Sequence, residues 1–315
     1  MKEPVQSASD NRTHPDDASY WQQLEPVKRD ADLIRRLEQR ARTGIPMTGF
    51  SLRRTQLASI NLVNAGERQG LQLTHSDLYR ADLRGAHLFN LDLSHSSLMK
   101  ANLEGANLHC ANLQGCNLLG ANLERAKLDN VNWGEQLFQE ELAHGTESER
   151  ERLDLYQQAE ETYRHLRKVT ENQGMFEDAG NFFVREMTMR RYQMPPYSFR
   201  RMVSKSVDVF CGYGERPMRV IIFSALAILF FALNYFLIGI SDGGHPLRMN
   251  TELPLLTNLS NFMSCLYFSI VTFTTLGYGD LTPTGLARAN AATEAFVGSF
   301  TLALFVVVFV KKMTR

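Results

Sequence analysis

The sequence lacks several features that would point to a common function. Its 315 residues carry 34 basic and 34 acidic side chains, so bulk charge indicates neither a nucleic-acid partner nor an acidic tail. No dinucleotide fingerprint, phosphate loop, calcium loop or catalytic constellation is found before the first hydrophobic segment. We therefore expect a protein that is not an enzyme and has no cofactor. The polar residues 1–42 do not resemble a cleavable signal peptide, and no long hydrophobic run precedes residue 220.

Two hydrophobic segments lie in the last third of the chain. Residues 220–240 form a run of 21 residues without a charge, and residues 295–310 form one of 16 that extends upstream to Leu286. A helix that crosses a bilayer needs about 20 such residues. The segments predict two transmembrane helices, at 218–240 and 286–312.

The charges that flank these segments predict the orientation. Basic residues cluster before the first span and after the second, at Arg200, Arg201, Lys205, Arg216, Arg219, Lys311, Lys312 and Arg315. The rule that basic residues remain inside predicts that both termini are cytoplasmic, in the plasma (inner) membrane. We then expect Cys110, Cys116, Cys211 and Cys265 to be free thiols. A zinc site at His109, Cys110 and Cys116 is disfavoured because a fourth ligand is missing.

A five-residue period dominates residues 50–134. Leucine occupies every fifth position from Leu73 to Leu128, Trp133 takes the next position, and a small residue usually stands two positions earlier. The pattern resembles the pentapeptide-repeat family. This resemblance implies a right-handed quadrilateral β-helix, in which four five-residue sides make one turn and the leucines stack inside.

The first three leucines of the period are out of phase with the rest. Leu52, Leu57 and Leu62 are spaced by five, but Leu62 and Leu73 are 11 residues apart. We therefore expect a bulge or loop at residues 65–70 that resets the register.

Other segments are assigned from composition and periodicity. Residues 1–27 have the composition of a disordered terminus, and residues 28–49 that of a short amphipathic helix and a cap. Residues 135–195 predict a cytoplasmic helical hairpin, with one face at Leu153, Tyr156, Ala159, Tyr163, Leu166 and Val169 and the other at Phe176, Ala179, Phe183 and Met187. Residues 196–217 mix basic and apolar side chains, which indicates an interfacial helix that contacts anionic lipid headgroups, with a solvated linker as the alternative.

Between the two spans, residues 258–274 predict a short helix, and Thr275-Leu276-Gly277-Tyr278-Gly279-Asp280 follows it. The preceding residues 241–257 form an extracellular loop in this interpretation. The arrangement resembles the pore helix and selectivity filter of potassium channels, with Leu276 where that family usually has valine. The resemblance implies an all-α two-span pore domain with a re-entrant pore helix, working as a homotetramer. It also implies that K⁺ is held by the backbone carbonyls of residues 275–278 and by the Thr275 hydroxyl.

Further residues receive roles from the same resemblance. Tyr267 and Phe268 are expected to hold Tyr278, and Glu294 to act either as an interfacial residue or as a brace behind the filter. Because Val271 occupies the position where some channels carry glutamate, we expect Asp280 to accept a hydrogen bond from the Tyr267 hydroxyl. The inner helix is expected to hinge at Gly298. Leu302, Val306 and Val310 are expected either to line the cavity and form an inner gate, where four apolar rings close the pore by dewetting, or to face lipid.

A second Gly-Tyr-Gly, at 212–214, precedes the first span and is interpreted as a turn in the linker. A soluble DNA-mimic role, found among pentapeptide proteins, needs an acidic rod. Residues 71–134 carry six acidic and five basic side chains, which argues against that role. A non-selective cation pore is a third hypothesis, disfavoured by the intact Gly-Tyr-Gly. The repeats are left with three roles: sensing a cytoplasmic ligand, binding an unidentified partner protein, or supporting assembly.

Overall fold

The computed structural model describes residues 21–22, 31–64 and 70–314. The chain divides into two compact units, Met1–Met194 and Pro195–Arg315. Most of the predicted disordered segment 1–27 lies outside the described residues. Trp21 is an exception that corrects the prediction, because its side chain is buried and stacks on Phe50 with 5.1 Å between ring centroids.

The repeats of the first unit form a stack of parallel coils. Short parallel bridges join residues 20 positions apart, from Gln72 with Asp92 to Asn112 with Asn132. One coil therefore takes four pentapeptides. Backbone hydrogen bonds join neighbouring coils, as from Leu83 N–H to the Asn102 carbonyl at 2.7 Å. The five-residue period thus produces a β-helix.

The register of the first coil differs from the rest. Its bridges join Ser51 with Asp77 and Asn61 with His87, which are 26 residues apart. The six additional residues fall between Asn61 and Gln72, which is where the shift in leucine phase predicts them. Residues 65–69 of this stretch lie outside the described residues.

The interior of the β-helix is filled by the repeating leucines and by the small residues before them. The leucines from Leu73 to Leu128 are all buried, and so are the eight small residues, seven alanines and Cys116. The buried Cys116 thiol donates to the Leu93 carbonyl at 3.0 Å. Burial raises the pKa of this thiol to about 12, so Cys116 serves as a packing residue.

Beside the β-helix, four helices of the first unit lie within the described residues. Helix α1 spans Ala31–Thr43, α2 spans Phe138–Gly145, α3 spans Glu149–Asn172 and α4 spans Phe176–Tyr192. Helices α3 and α4 form the predicted hairpin, but the buried face of α4 is shifted. Phe182 and Met189 are buried there, whereas the predicted Phe183 and Met187 are only partly covered. The reason is that Phe182 fills the space between Trp133 and Tyr163.

A buried polar contact joins α2 to this hairpin. The Tyr163 hydroxyl donates to the Glu140 carboxylate at 2.5 Å, and Arg185 donates to the same carboxylate at 3.1 Å. Burial, with the adjacent Glu140, raises the pKa of the Tyr163 hydroxyl far above its usual value. The hydroxyl is therefore a permanent donor that fixes α2 against α3.

The second unit contains four helices and a small sheet. Helix α5 spans Phe199–Cys211, α6 spans Pro217–Ile238, α7 spans Leu255–Phe273 and α8 spans Ala287–Met313. Strands β1 (Ile240–Asp242), β2 (His245–Leu247) and β3 (Leu281–Pro283) form an antiparallel sheet in the order β2-β1-β3. Among the described residues, α6, α7 and α8 are long and apolar enough to cross a membrane.

Two predictions about the segment between the spans need correction. Residues 241–257 are not only a loop, because β1 and β2 form a hairpin there around Gly243 and Gly244, and α7 starts at Leu255. Helix α7 has 19 residues and begins at Leu255 rather than at residue 258, so its length and composition also fit a complete crossing of the membrane. The helix starts earlier because Pro254 precedes it and Leu255 and Leu256 continue its apolar pattern.

Candidate functional site

The backbone of residues 275–279 alternates in handedness. Thr275, Gly277 and Gly279 have positive φ angles of 59°, 58° and 83°, whereas Leu276 and Tyr278 are not among the residues with positive φ. In an ordinary extended strand successive carbonyls point to opposite sides. Alternation between the left-handed and right-handed regions turns them to the same side, and glycine adopts the left-handed region without strain. This segment can therefore present a row of carbonyl oxygens along one edge.

The start of this segment is tied to the end of α7. The N–H groups of Thr275 and Leu276 donate to the carbonyls of Thr272 and Val271, both at 3.0 Å. Val271 itself is buried. The hydrogen bonds set the direction in which the carbonyl row leaves the helix.

The far end of the segment is tied to the sheet. Leu281 follows Asp280 directly and pairs with Asp242 in the β1–β3 ladder. Sequence reasoning missed this sheet, although Gly243-Gly244 is a dipeptide typical of two-residue hairpin turns. The segment is thus held at both ends by backbone pairing.

The second Gly-Tyr-Gly has a different geometry. Gly212, Tyr213 and Gly214 have consecutive positive φ angles of 54°, 54° and 84° and form one turn of 3₁₀ helix. The Tyr213 hydroxyl lies 2.8 Å from the Ser204 hydroxyl, back on α5. Three left-handed residues in succession fold the chain on itself, so this copy makes a turn rather than a carbonyl row.

Glu294 connects the three apolar helices α6, α7 and α8. Its side chain is 0% exposed; it accepts a hydrogen bond from the Tyr235 hydroxyl of α6 at 2.6 Å and another from the Ser269 hydroxyl of α7. Ser269 also lies 2.8 Å from the Ile228 carbonyl of α6. The carboxylate thus joins α6 and α7 to α8, and the two sequence-based alternatives for Glu294 stay predictions. Tyr235 and Ser269 were not identified from the sequence, where both resemble ordinary residues of an apolar helix.

Tyr267 and Phe268 point in different directions from α7. Phe268 is buried and packs edge-to-face on Tyr235, with 4.9 Å between ring centroids. Tyr267 is partly exposed, and its side chain lies close to that of Asp280. In this chain, therefore, Phe268 supports the contact with α6, Tyr267 lies beside residues 275–280, and the hydrogen bond between Tyr267 and Asp280 stays a prediction.

Gly298 lies where α8 crosses the end of α7. A Cβ atom on Gly298 would be 2.0 Å from the Phe273 carbonyl oxygen, which leaves no room for a side chain. Close packing thus accounts for a glycine here, while its role as a hinge stays a prediction. Leu302, Val306 and Val310 follow on α8 and are exposed in the single chain.

The cytoplasmic end of α8, as the sequence orients it, is joined to the linker before α6. The Lys311 ammonium donates to the Glu215 carboxylate at 2.5 Å, and the Glu215 side chain is only 11% exposed. Arg219 of α6 in turn donates to the Asp208 side chain of α5 at 3.1 Å. The ends of α5, α6 and α8 therefore form one ion-paired corner.

Comparison with known proteins agrees with these two units. Residues 223–315 match a family model described as ion channel, and residues 69–105 and 106–132 match pentapeptide repeats, in 8 copies. The chain therefore joins N-terminal pentapeptide repeats to an ion-channel domain of the two-transmembrane, potassium-channel type, as the sequence resemblance predicts. The comparison with curated proteins finds no match.

Solved structures similar to this chain are pentapeptide repeat proteins. One from the thylakoid lumen of Arabidopsis thaliana is 26% identical over 30% of this chain and 65% of its own, with a TM-score of 0.20. HetL from Nostoc sp. strain PCC 7120, involved in heterocyst differentiation regulation, is 25% identical over 28% of this chain and 50% of its own, with a TM-score of 0.15. Rfr23 from Cyanothece 51142 is 27% identical over 28% of this chain and 63% of its own, with a TM-score of 0.11. This chain thus spans between half and two thirds of their lengths.

Proposed function

We propose that the chain is one subunit of a potassium-selective channel whose filter is Thr275-Leu276-Gly277-Tyr278-Gly279-Asp280. The observation that carries the proposal is the alternating backbone of residues 275–279. Potassium must lose its hydration shell to pass, and rings of backbone carbonyls can replace that water. A segment that turns successive carbonyls to one side, with the Thr275 hydroxyl at its inner end, supplies one quarter of such rings.

The ring requires four chains, so the working form is a homotetramer. Leu276 and Tyr278 are 60% and 68% exposed in the single chain. Neighbouring subunits packed around the filter cover them. Native mass spectrometry of the detergent-solubilised full chain tests the subunit number, and a monomer or dimer at all concentrations contradicts it.

In this channel α7 is a re-entrant pore helix, α6 and α8 cross the membrane, and both termini are cytoplasmic. The length of α7 fits both a re-entrant helix and a transmembrane helix, but the charges that flank α6 and α8 distinguish the two. If α7 crossed fully, the basic residues before α6 and after α8 would lie on opposite sides of the plasma membrane. With α7 re-entrant, Arg200, Arg201, Lys311 and Lys312 share the cytoplasmic side, and the negative end of α7 faces the incoming cation.

The remaining parts of the proposal concern the cytoplasmic side. The β-helix is right-handed and quadrilateral, and it serves assembly or gating. Helix α5 lies on the inner leaflet, where Arg200 and Lys205 meet anionic headgroups while its exposed apolar residues Phe199 and Met202 enter the membrane.

The selectivity of the reconstituted channel tests the proposal. When potassium is more concentrated on one side of the membrane and sodium replaces it on the other, the reversal potential should follow the potassium gradient. Gly279→Ala should reduce this selectivity, because a residue with a Cβ is strained by roughly 1–2 kcal/mol in the left-handed region.

Gly214→Ala is the matched control for this substitution. Gly279 and Gly214 have nearly equal φ angles of 83° and 84°, and a Cβ would meet no atom within 4 Å at either position. The two positions are therefore matched in φ and in the space available to a Cβ, and they differ in location. A reversal potential that ignores potassium in the unmodified channel, or equal loss of selectivity in both variants, would contradict the filter assignment.

A further inference from the structure

The β-helix is nearly neutral overall, but its charged side chains are unevenly distributed among its sides. One side of the rod consists of the stacked stretches 50–54, 76–80, 96–100 and 116–120, joined by bridges that run from Ser51 through Asp77 and Ser97 to Asn117. We call it the basic side. It carries Arg53, Arg54, Arg80 and Lys100 against Asp77 alone, whereas the other described sides carry five acidic and three basic residues.

The cations of the basic side stand in a column along one corner. Arg54, Arg80 and Lys100 occupy equivalent corner positions, with positive φ angles of 55°, 55° and 57°. Backbone hydrogen bonds link Arg54 to the coil of Tyr79 and Arg80 to the coil of Met99. Successive positions are thus one coil apart, about 4.8 Å, and the three cations span about 10 Å.

Three guanidinium groups of the basic side lie around one tyrosine ring. The Arg53, Arg54 and Arg80 guanidinium carbons lie 5.3, 6.0 and 5.4 Å from the Tyr79 ring centroid. Cation–π attraction to one ring holds three groups together that would otherwise repel one another. The cluster is therefore preorganised rather than dispersed by its own charge.

Other arginines on the rod are neutralised by acids, and the column is not. On the adjacent side Arg84 pairs with Asp82 at 2.7 Å, and Arg125 pairs with Glu104. On the basic side, Asp77 pairs with Arg53 at 3.2 Å. Within the part of the chain that the structure describes, no acidic side chain forms an ion pair with Arg54, Arg80 or Lys100.

We propose that the basic side binds a small soluble ligand with several linked phosphate groups, such as a nucleoside triphosphate. Arginine and lysine are strong phosphate partners, and a ligand with several linked phosphate groups can contact more than one cation of the column at once. Tyr79, Met99 and Leu119 form a half-buried apolar strip beside the column, against which the flat nucleoside can lie. The strip does not protrude, which disfavours insertion into a lipid surface.

The test is binding to the full-length channel in detergent at physiological salt, measured by calorimetry with two probes, inorganic tripolyphosphate and ATP. The test variant is R54N/R80N/K100N. Asparagine tolerates positive φ, and the chain itself has Asn90 and Asn130 at equivalent corners with φ angles of 55° and 57°. The control variant, R84N/R125N, removes the same type of charge from the neighbouring side. Both variants are compared with the unmodified protein by thermal unfolding.

We expect both probes to bind the unmodified protein and the control, and the test variant to bind at least tenfold more weakly with an unchanged melting temperature. Tighter binding of ATP than of tripolyphosphate would add a role for the apolar strip. The site is overturned if neither probe binds, if both variants lose binding equally, or if only vesicles containing anionic lipid bind the column. If the test variant unfolds early, the single substitution Arg80→Asn, at the centre of the column, takes its place with the same outcomes. The experiment measures binding rather than conduction, so this proposal can fail while the proposed potassium selectivity holds, and the reverse.

Discussion

Removal of the Glu294 carboxyl should weaken the conducting state of the filter. Glu294 accepts hydrogen bonds from Tyr235 and Ser269, and all three side chains are completely buried. In Glu294→Ala, Ser269 keeps the Ile228 carbonyl as a partner at 2.8 Å, but the Tyr235 hydroxyl loses its acceptor. One buried unsatisfied hydroxyl costs about 1–3 kcal/mol, and the cavity left between the helices adds to that cost.

This cost translates into a measurable shift in channel behaviour. If the brace holds α7 in the position that supports the filter, about 1–3 kcal/mol shifts the conducting equilibrium by about 5- to 150-fold. The assay is the steady-state potassium current of reconstituted channels after a voltage step, together with the rate at which it declines. Glu294→Ala should show a smaller steady-state current and a faster decline.

Two further variants separate the hydrogen bonds from other effects. In Glu294→Gln the amide oxygen can accept from Tyr235 and the amide nitrogen can donate to the Ser269 oxygen, so we expect behaviour close to that of the unmodified channel. Thr293→Ala is the control, because the Thr293 hydroxyl bonds only within its own helix, to the Ala289 carbonyl at 2.9 Å. The reasoning is refuted if Glu294→Ala inactivates like Thr293→Ala, or if Glu294→Gln is as defective as Glu294→Ala.

Two other predictions follow from contacts elsewhere in the chain. Lys311→Glu should change the open probability by separating α8 from the linker, and its combination with Glu215→Arg should restore the open probability. Lys312→Glu should have little effect because Lys312 is exposed. Single-channel recording of these three variants and the unmodified channel checks this, and a double variant no better than Lys311→Glu would rule out the ion pair as a link. The Cys116 thiol, whose pKa burial raises to about 12, should resist maleimide at pH 8 in the folded protein and react only on unfolding, while the partly exposed Cys110 is labelled first. Mass spectrometry of labelled peptides measures the order, and equal labelling of both thiols would show that the coil opens.

The sequence predicts well those features that depend on the spacing of residues close to one another in the chain. The five-residue leucine period specifies a β-helix because every fifth side chain must occupy the same interior column, and the phase shift after Leu62 locates the extra residues of the first coil. Hydrophobic length likewise locates α6 and α8 to within a few residues. In each case a short-range pattern has one structural solution.

Contacts between distant residues could not be read in the same way. Tyr235 and Ser269 are 59 and 25 residues from Glu294, and only the packing of three helices brings them together. The charge polarity of the β-helix is hidden for a similar reason. Arg54, Arg80 and Lys100 are isolated in sequence and become neighbours only when the coils stack.

The two Gly-Tyr-Gly segments show how position relative to a helix end decides what a motif does. In the linker, α5 ends at Cys211, so Gly212 is at once the left-handed residue that caps the helix, and its N–H donates to the Asp208 carbonyl. Tyr213 and Gly214 then continue the left-handed turn. In the second copy α7 ends at Phe273, and Thr275 takes the left-handed conformation two residues before the first glycine. Leu276 returns the chain to negative φ, so Gly277 and Gly279 fall on alternate left-handed positions. The same three residues thus form a turn when they directly follow a helix, and a carbonyl row when two threonines and a leucine separate them from it.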